Sequence, residues 1–355
     1  MNRLLAVSVA GFLALVAAPG AQAQELRPAE KIYADIAGLK GAAREATLIE
    51  GAKREGALRV VSTLRGELTR DELAMFQKRY PFLKVEMSES GSQDAAERLL
   101  TEETAGRHLT DVIEIAIADM RELQARNLQA RYPTPATDAI LPQNRASIDP
   151  QSRWTPFSVS EFGIVYNTNL LKPEDAPKSW DDLCDAKYSG TISFDPAEVR
   201  FLYGLYVMMG DAKMQQWMEC IGKNKPIIQR GHTQRLQLML AGDHMLSPDQ
   251  YFYMGVGLKW RENRTPFGMV TSAPILTSFL CAVINPNTPH PYAAALFADW
   301  HLSDEFQDYL AKAPRGPITR PSPYVPTDAK LVVYGYGTDA EYAKVLDYWK
   351  KYMPR

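Results

Sequence analysis

From Leu58 onward the apolar positions switch repeatedly between two periods. Short, largely apolar runs at Leu58 to Ser62, Leu83 to Met87 and Val112 to Ala116 read as strands. Between them, Leu68 to Tyr80 and Ala95 to Ala105 read as helices, with Leu73, Phe76 and Tyr80 at helical spacing. This is a βαβαβ unit, which predicts a mostly parallel sheet covered on both faces and joined by right-handed crossovers. Ligands on such sheets sit at the carboxyl ends of the strands, so the loops Ser62 to Gly66, Ser88 to Gln93 and Ile117 to Met120 are the places to look.

A polar, proline-containing stretch from Tyr132 to Pro156 separates this unit from a second pattern. The second pattern opens with an apolar strand at Gly163 to Tyr166 and continues through Thr191 to Phe194. After Asp195-Pro196 a helix is predicted over Ala197 to Met209, with Asp195 as cap and Pro196 at the first helical position. Lys312 to Tyr334 is proline-rich and aperiodic. From Asp339 to Tyr352 helical spacing returns through Tyr342, Val345, Leu346 and Trp349, and that helix is expected to pack on a lobe.

The amino terminus changes the picture. Residues 1–23 read as a signal peptide: Arg3, an apolar stretch from Leu4 to Ala18, Pro19-Gly20, and Ala21-Gln22-Ala23 as the cleavage site, leaving Gln24 as the first mature residue. No cysteine follows the apolar run, so an acyl-anchored lipoprotein is not expected, and no later run has the roughly 20 apolar residues of a membrane span. A periplasmic location follows.

The formal charge of -2 shifts by one unit on loss of Arg3, too close to neutral for a polyanion-binding surface, which excludes nucleic acid as an expected partner. A mature chain of roughly 330 residues exceeds what one core supports, so two domains are expected. Cys184, Cys220 and Cys281 are too few and too widely spaced for a zinc site. In an oxidising compartment Cys184 and Cys220 either pair or remain two buried thiols, and Cys281, in an apolar strand pattern, reads as core. Trp154, Trp180 and Trp217 are assigned to packing, and His244, His290 and His301 show no metal-ligand spacing among themselves.

Several segments together carry a family resemblance: Phe76-Gln-Lys-Arg-Tyr-Pro81 leading into Val85, Ala105-Gly-Arg-His108 before Asp111-Val112, Phe162-Gly-Ile-Val-Tyr-Asn167, Trp180-Asp-Asp-Leu183, Tyr188-Ser-Gly190, and the stretch from Asn287 to Leu310. In this order the chain resembles the ferric-ion-, thiamine- and phosphonate-binding branch of type II periplasmic solute-binding proteins of ABC importers. The resemblance implies a two-lobed α/β fold, each lobe a mostly parallel sheet flanked by helices, with the chain crossing between lobes near Thr155 to Ser160 and Pro274 to Ala282. Lobe 1 would then comprise 24–156 plus 274–318, and lobe 2 157–273 plus 319–355. It further implies a monomer that closes on a small ligand and presents it to an ABC permease of the inner membrane, with no cofactor unless ferric ion is the cargo.

Candidate site residues divide by chemistry. Ser62, Thr63 and Arg65 after the first strand, and Ser90-Gly91-Ser92 after the second, combine hydroxyls, backbone N–H groups and a guanidinium, which suits phosphate, phosphonate or carboxylate. Glu67, entering a helix, reads as a first-turn acid. Arg230 and His232, around Gly231, offer a second oxyanion grip or an exposed basic loop, and Arg235 reads more readily as exposed. Asp195 either caps a helix or meets a ligand ammonium, while Glu198 and Arg200 are placed to line the cleft. Tyr251 and Tyr253 match in position the iron-ligating tyrosines of the resembled family, although Phe252 interrupts the adjacent pair. Strand spacing would put both phenols on one face, as metal ligands or as an aromatic wall. A secreted enzyme and a receptor adaptor are the alternatives, but the chain has no Gly-x-Ser-x-Gly elbow, His-Glu-x-x-His helix or Walker-type loop.

Overall fold

The computed structural model describes residues 26–261, 265–313 and 315–354; the signal peptide assigned to 1–23 lies outside them. Among these described residues eleven strands follow chain order: β1 Ala57–Ser62, β2 Lys84–Glu89, β3 Val112–Ala116, β4 Thr155–Asn167, β5 Ser193–Phe194, β6 Ile227–Ile228, β7 Leu246–Tyr251, β8 Phe267–Met269, β9 Ile275–Ile284, β10 Gly316–Pro317 and β11 Leu331–Val333. The first unit forms as its periodicity predicts. Helix Gly41–Glu55 ends on Gly56, whose φ of 69° a side chain would resist, and the chain turns there into β1. β1 pairs in parallel with β2 and β3, through helices Glu67–Arg79 and Ser92–Thr104.

Beyond β3 the pairing changes sign. β9 lies antiparallel to β3 and to β4, and β7, β8 and β10 all lie antiparallel to β4. The mostly parallel pattern therefore holds only for β2-β1-β3, β5-β6 and the β11-β9 edge. The reason is topological: β4 carries the chain out of one lobe and β9 carries it back beside β4, so these neighbours must run in opposite directions. One nine-stranded sheet results, threaded by two long strands that are buried along their whole length. Gly163 on β4 allows a close approach, since a Cβ there would lie 2.2 Å from the Phe252 ring.

Each half of the sheet has its own core. One gathers Phe76, Leu99, Ile113, Phe157, Val283, Phe297 and Leu310; the other gathers Phe162, Trp180, Phe194, Phe201, Trp217, Leu276 and Trp349. The change of core falls between Val159 and Phe162 on β4 and between Leu276 and Phe279 on β9. Cys184 and Cys220 form a disulfide inside the second lobe, their Cα atoms 5.6 Å apart, whereas Cys281 is a buried free thiol. Helix Asp339–Tyr352 starts with a capping box, the Thr338 side chain accepting from Glu341 N–H, and buries Val345 and Trp349 in the second core. Among the described residues no helix is long and apolar enough to cross a membrane.

Candidate functional site

A cavity of about 560 Å³ lies between the lobes, at the carboxyl ends of β1, β2 and β3. The β1 loop contributes Thr63 and Arg65, and the β2 loop contributes Ser90, Gly91 and Ser92, just ahead of the first N–H groups of helix Ser92–Thr104. The long strands supply the floor, Ser160 and Phe162 from β4 and Ser278 to Leu280 from β9. The opposite wall carries Arg200, Gly231 to Gln234, Tyr251, Tyr253 and Tyr334, while Arg315, next to β10, enters from the side of the first core.

The lobe 2 wall is organised by a chain of charges. His232 Nε2 lies 2.8 Å from Glu198 Oε2, Glu198 accepts two hydrogen bonds from the Arg200 guanidinium (2.9 and 3.1 Å), and Arg200 Nη1 donates across the cleft to Asp119 at 3.2 Å. Burial opposes the Glu198 charge, but Arg200 and His232 outweigh it and hold this carboxyl at about 2. Burial also works against a charged His232, and the bond to Glu198 overcomes it, raising the imidazole above its ordinary value. Burial pushes the Tyr251 phenol up despite the nearby Arg200 charge. Its ring packs against Phe162 at 3.9 Å, His232 at 4.9 Å and Tyr253 at 5.4 Å between centroids.

Arg315 is different. It is only 5% exposed, its guanidinium lies 3.9 Å from the centre of the Tyr253 ring, and its Nε has no hydrogen-bond partner among the described residues. Glu161 feels this charge, but burial pushes the Glu161 carboxyl up and its Oε2 is engaged by the Tyr324 hydroxyl at 3.0 Å. Three more buried polar atoms of cavity residues also lack partners among the described residues: Thr63 Oγ1, His232 Nδ1 and the Tyr334 hydroxyl. Unpartnered polar atoms are costly when buried, and these four belong to residues that line one cavity.

The structure brings Thr63, Arg65, Ser90, Gly91, Ser92, His232, Tyr251 and Tyr253 to the cavity. It corrects four further readings. Ser62 is fully buried behind the loop, donating to Glu114 with Glu72 3.4 Å away and accepting from Leu64 N–H at 3.1 Å, because a residue still inside β1 points into the lobe core. Arg230 is exposed and does not line the cavity, since the turn at Gly231, with φ of 91°, directs it outward. Arg235 is fully buried rather than exposed, bonded to Asp249 and Ser193. Asp195 neither caps a helix nor reaches the cavity: its carboxylate accepts from Ala197 and Gly231 N–H (2.9 and 2.8 Å), and the helix begins later, at Val199. It positions the loop that carries His232.

Tyr251 and Tyr253 do not share a strand face either. β7 stops at Tyr251 and a helix begins at Phe252, so the two phenols meet across a strand-to-helix turn. Glu67 is an exposed first-turn acid, as expected. Sequence reasoning missed Arg315 and Tyr334. Both lie around the aperiodic, proline-rich stretch, where no spacing signals which side chains turn inward.

Behind the β1 loop, Glu72, Glu114 and His301 converge with Ser62, all fully buried. His301 Nε2 lies 2.8 Å from Glu72 and 3.1 Å from Glu114, which resembles a metal site. His301 Nδ1, however, has no partner among the described residues and the ring stacks on Phe157 at 4.2 Å, whereas a ligating imidazole ordinarily donates its other N–H. Burial, followed by the Glu114 charge, pushes the Glu72 carboxyl well up, so a proton held between the carboxyls accounts for the cluster. It braces the loop that presents Thr63.

Two lobes joined by two long strands around a cavity lined with unpartnered donors define the class of periplasmic-type binding proteins that capture a solute between lobes. The chain belongs to the bacterial extracellular solute-binding family, whose pattern matches residues 120–336. No curated protein sequence matches it. The fold is shared with solved structures. The substrate-binding protein of an ABC transporter from Agrobacterium tumefaciens has a TM-score of 0.71 at 15% identity, over 84% of this chain and 94% of that one. AfuA from Actinobacillus pleuropneumoniae, with exogenous fructose-6-phosphate bound, has a TM-score of 0.69 at 20% identity, over 84% and 98%. Iron-bound HitA from Pseudomonas aeruginosa has a TM-score of 0.67 at 17% identity, over 83% and 97%. The protein is thus an extracellular solute-binding protein by family, with the two-lobed fold that these solved structures share.

Proposed function

We propose that this protein captures a small organic oxyanion, a phosphate, phosphonate or carboxylate on a polar carbon frame, and hands it to an ABC permease of the inner membrane. The observation that carries this reading is Arg315, a buried guanidinium without a carboxylate partner among the described residues, facing the cavity with Thr63 and Arg65 on the same lobe. An anion there would gain charge-assisted hydrogen bonds in a dry setting and relieve the cost of the unpaired charge. The cavity of about 560 Å³ has room for more than a bare ion, and Ser160, Ser278, Thr233 and Gln234 offer hydrogen bonds to a hydroxylated body. Fructose-6-phosphate in AfuA is an example of such a ligand on this fold.

The proposal includes lobes of 24–156 plus 274–318 and 157–273 plus 319–355 that hinge on β4 and β9, a cleaved signal peptide, action as a monomer in the periplasm, and no catalytic step. Closure is a population shift, with contacts from both lobes favouring the closed form. A second reading, ferric ion as cargo, is favoured by the two cavity phenols of Tyr251 and Tyr253, which HitA as an iron-bound protein of the same fold keeps in view.

A thermal-shift screen of the mature chain against sugar phosphates, phosphonates, carboxylates, thiamine, polyamines and ferric citrate, with a visible absorption scan, tests both. A ligand at 100 times its dissociation constant adds about 2.7 kcal/mol. Colourless stabilisation by an organic anion is the expected result. A visible charge-transfer band with iron, and no stabilisation by any organic anion, would transfer the assignment to ferric ion.

A further inference from the structure

The carboxyl-terminal segment crosses the cleft. β11 is paired to β9 at the change of core, and the next residues run along both lobes before helix Asp339–Tyr352 anchors in the second core. Tyr334 is 3% exposed, lines the cavity, and its hydroxyl has no partner among the described residues. Two residues later, Tyr336 packs against the first core and its hydroxyl donates to Gln124 Oε1. Asp339 pairs with Arg121, and the Tyr342 hydroxyl donates to the Ala118 carbonyl at 3.4 Å. Gln124, Arg121 and Ala118 all follow β3, in the first lobe. Gly337 lets the segment press close to lobe 2, because a Cβ there would lie 2.6 Å from the Tyr203 ring.

We propose that residues 334–342 form a strap that ties ligand occupancy to lobe closure: Tyr334 meets the ligand, while Tyr336, Asp339 and Tyr342 clasp the first lobe. The coupling to occupancy rests on the cavity being the ligand site; the clasp itself does not. Each contact joins the two lobes in this structure, so each one that lobe opening breaks biases the open–closed equilibrium toward closure before any ligand arrives. A protein that is competent in only a fraction of molecules binds correspondingly more weakly, and weakening the clasp lowers that fraction.

The test needs no ligand. Small-angle scattering of the mature, ligand-free chain is compared between wild type and a triple variant, Tyr336→Phe, Asp339→Ala and Tyr342→Phe, with Arg121→Ala as a variant on the opposite lobe. All four changes remove polar contacts near the surface, and circular dichroism with a cooperative melt confirms that the variants fold. A larger radius of gyration in the triple variant, with a smaller change in the same direction for Arg121→Ala, is expected. Scattering curves that superpose on wild type for both folded variants overturn the strap, and would do so whatever the ligand proves to be. Coupling to occupancy is read separately, by Tyr334→Phe in the thermal-shift screen with sugar phosphates: a severalfold weaker affinity at unchanged ligand-free scattering is expected, and an unchanged affinity removes Tyr334 from the ligand contacts.

Discussion

The cleft has one wall whose charges are already paired and one whose charges are not. On the lobe 2 wall, Arg200 is held by Glu198 and Asp119, and His232 by Glu198. On the lobe 1 wall, Arg315 is buried against the Tyr253 phenol with no carboxylate partner among the described residues, and Thr63 Oγ1 has no partner among them. The paired wall is rigid and nearly self-neutral, so it shapes and orients. The unpaired wall is where an anion changes the energy most, because it replaces an uncompensated buried charge rather than competing with an existing partner.

Substitution of Arg315 should break this contrast most sharply. Arg315→Met is expected to weaken binding of an organic anion by about two orders of magnitude, the roughly 3 kcal/mol that a buried charge-assisted contact is worth. Stability of the free protein should hold or rise, since an unpaired buried charge is removed. Calorimetric titration and thermal melts check both, and a drop in stability with affinity intact would reverse the roles of the two walls.

The lobes also differ in their staples. Only lobe 2 carries a disulfide, and Cys184→Ser with Cys220→Ser should cost about 2–4 kcal/mol, read by denaturant unfolding. If lobe 2 gives way first, the single transition splits, with lobe 1 core fluorescence lagging.

A smaller effect concerns pH. The Glu198 carboxyl is held at about 2, below its ordinary 4.5, so its contribution is present above about pH 4.5 and is lost as the pH falls toward 2. That contribution amounts to at most about 3 kcal/mol in wild type and should be missing from Glu198→Gln, giving the variant a flatter acid limb in pH-dependent melts. An identical acid limb would mean that the lobe 2 charge chain contributes nothing to stability.

The smallest effects separate neighbours in sequence. Thr63→Ala should weaken anion binding several-fold, about 1 kcal/mol for one hydrogen bond. Arg230→Ala should leave affinity unchanged, because its side chain is exposed outside the cavity. Equal losses in the two variants would mean that the lobe 2 loop turns inward on binding.

Much of this molecule was legible in the order of its residues. Alternating periods located β1 to β3 and their helices within three residues, because a strand or helix buries one face wherever it lies in the chain. The same loops named Thr63, Arg65 and Ser90 to Ser92, since a parallel sheet opens its strand ends to ligand. What the periodicity does not encode is direction after a turn. Ser62 and Thr63 differ by one residue, yet one faces the lobe core and the other the cavity, and Arg230 and Arg235 exchanged the exposures their composition suggested. Arg315 and Tyr334 come to the site from a stretch with no period at all, carried there by pairing of β10 with β4 and β11 with β9. Local sequence determined the elements and the first-lobe loops because those depend on neighbours a few residues away. Which charge would be left unpaired, and which segment would span the cleft, were decided only by contacts between residues far apart in the chain, from 56 positions for β11 with β9 to 157 for Gly316 of β10 with Val159 of β4.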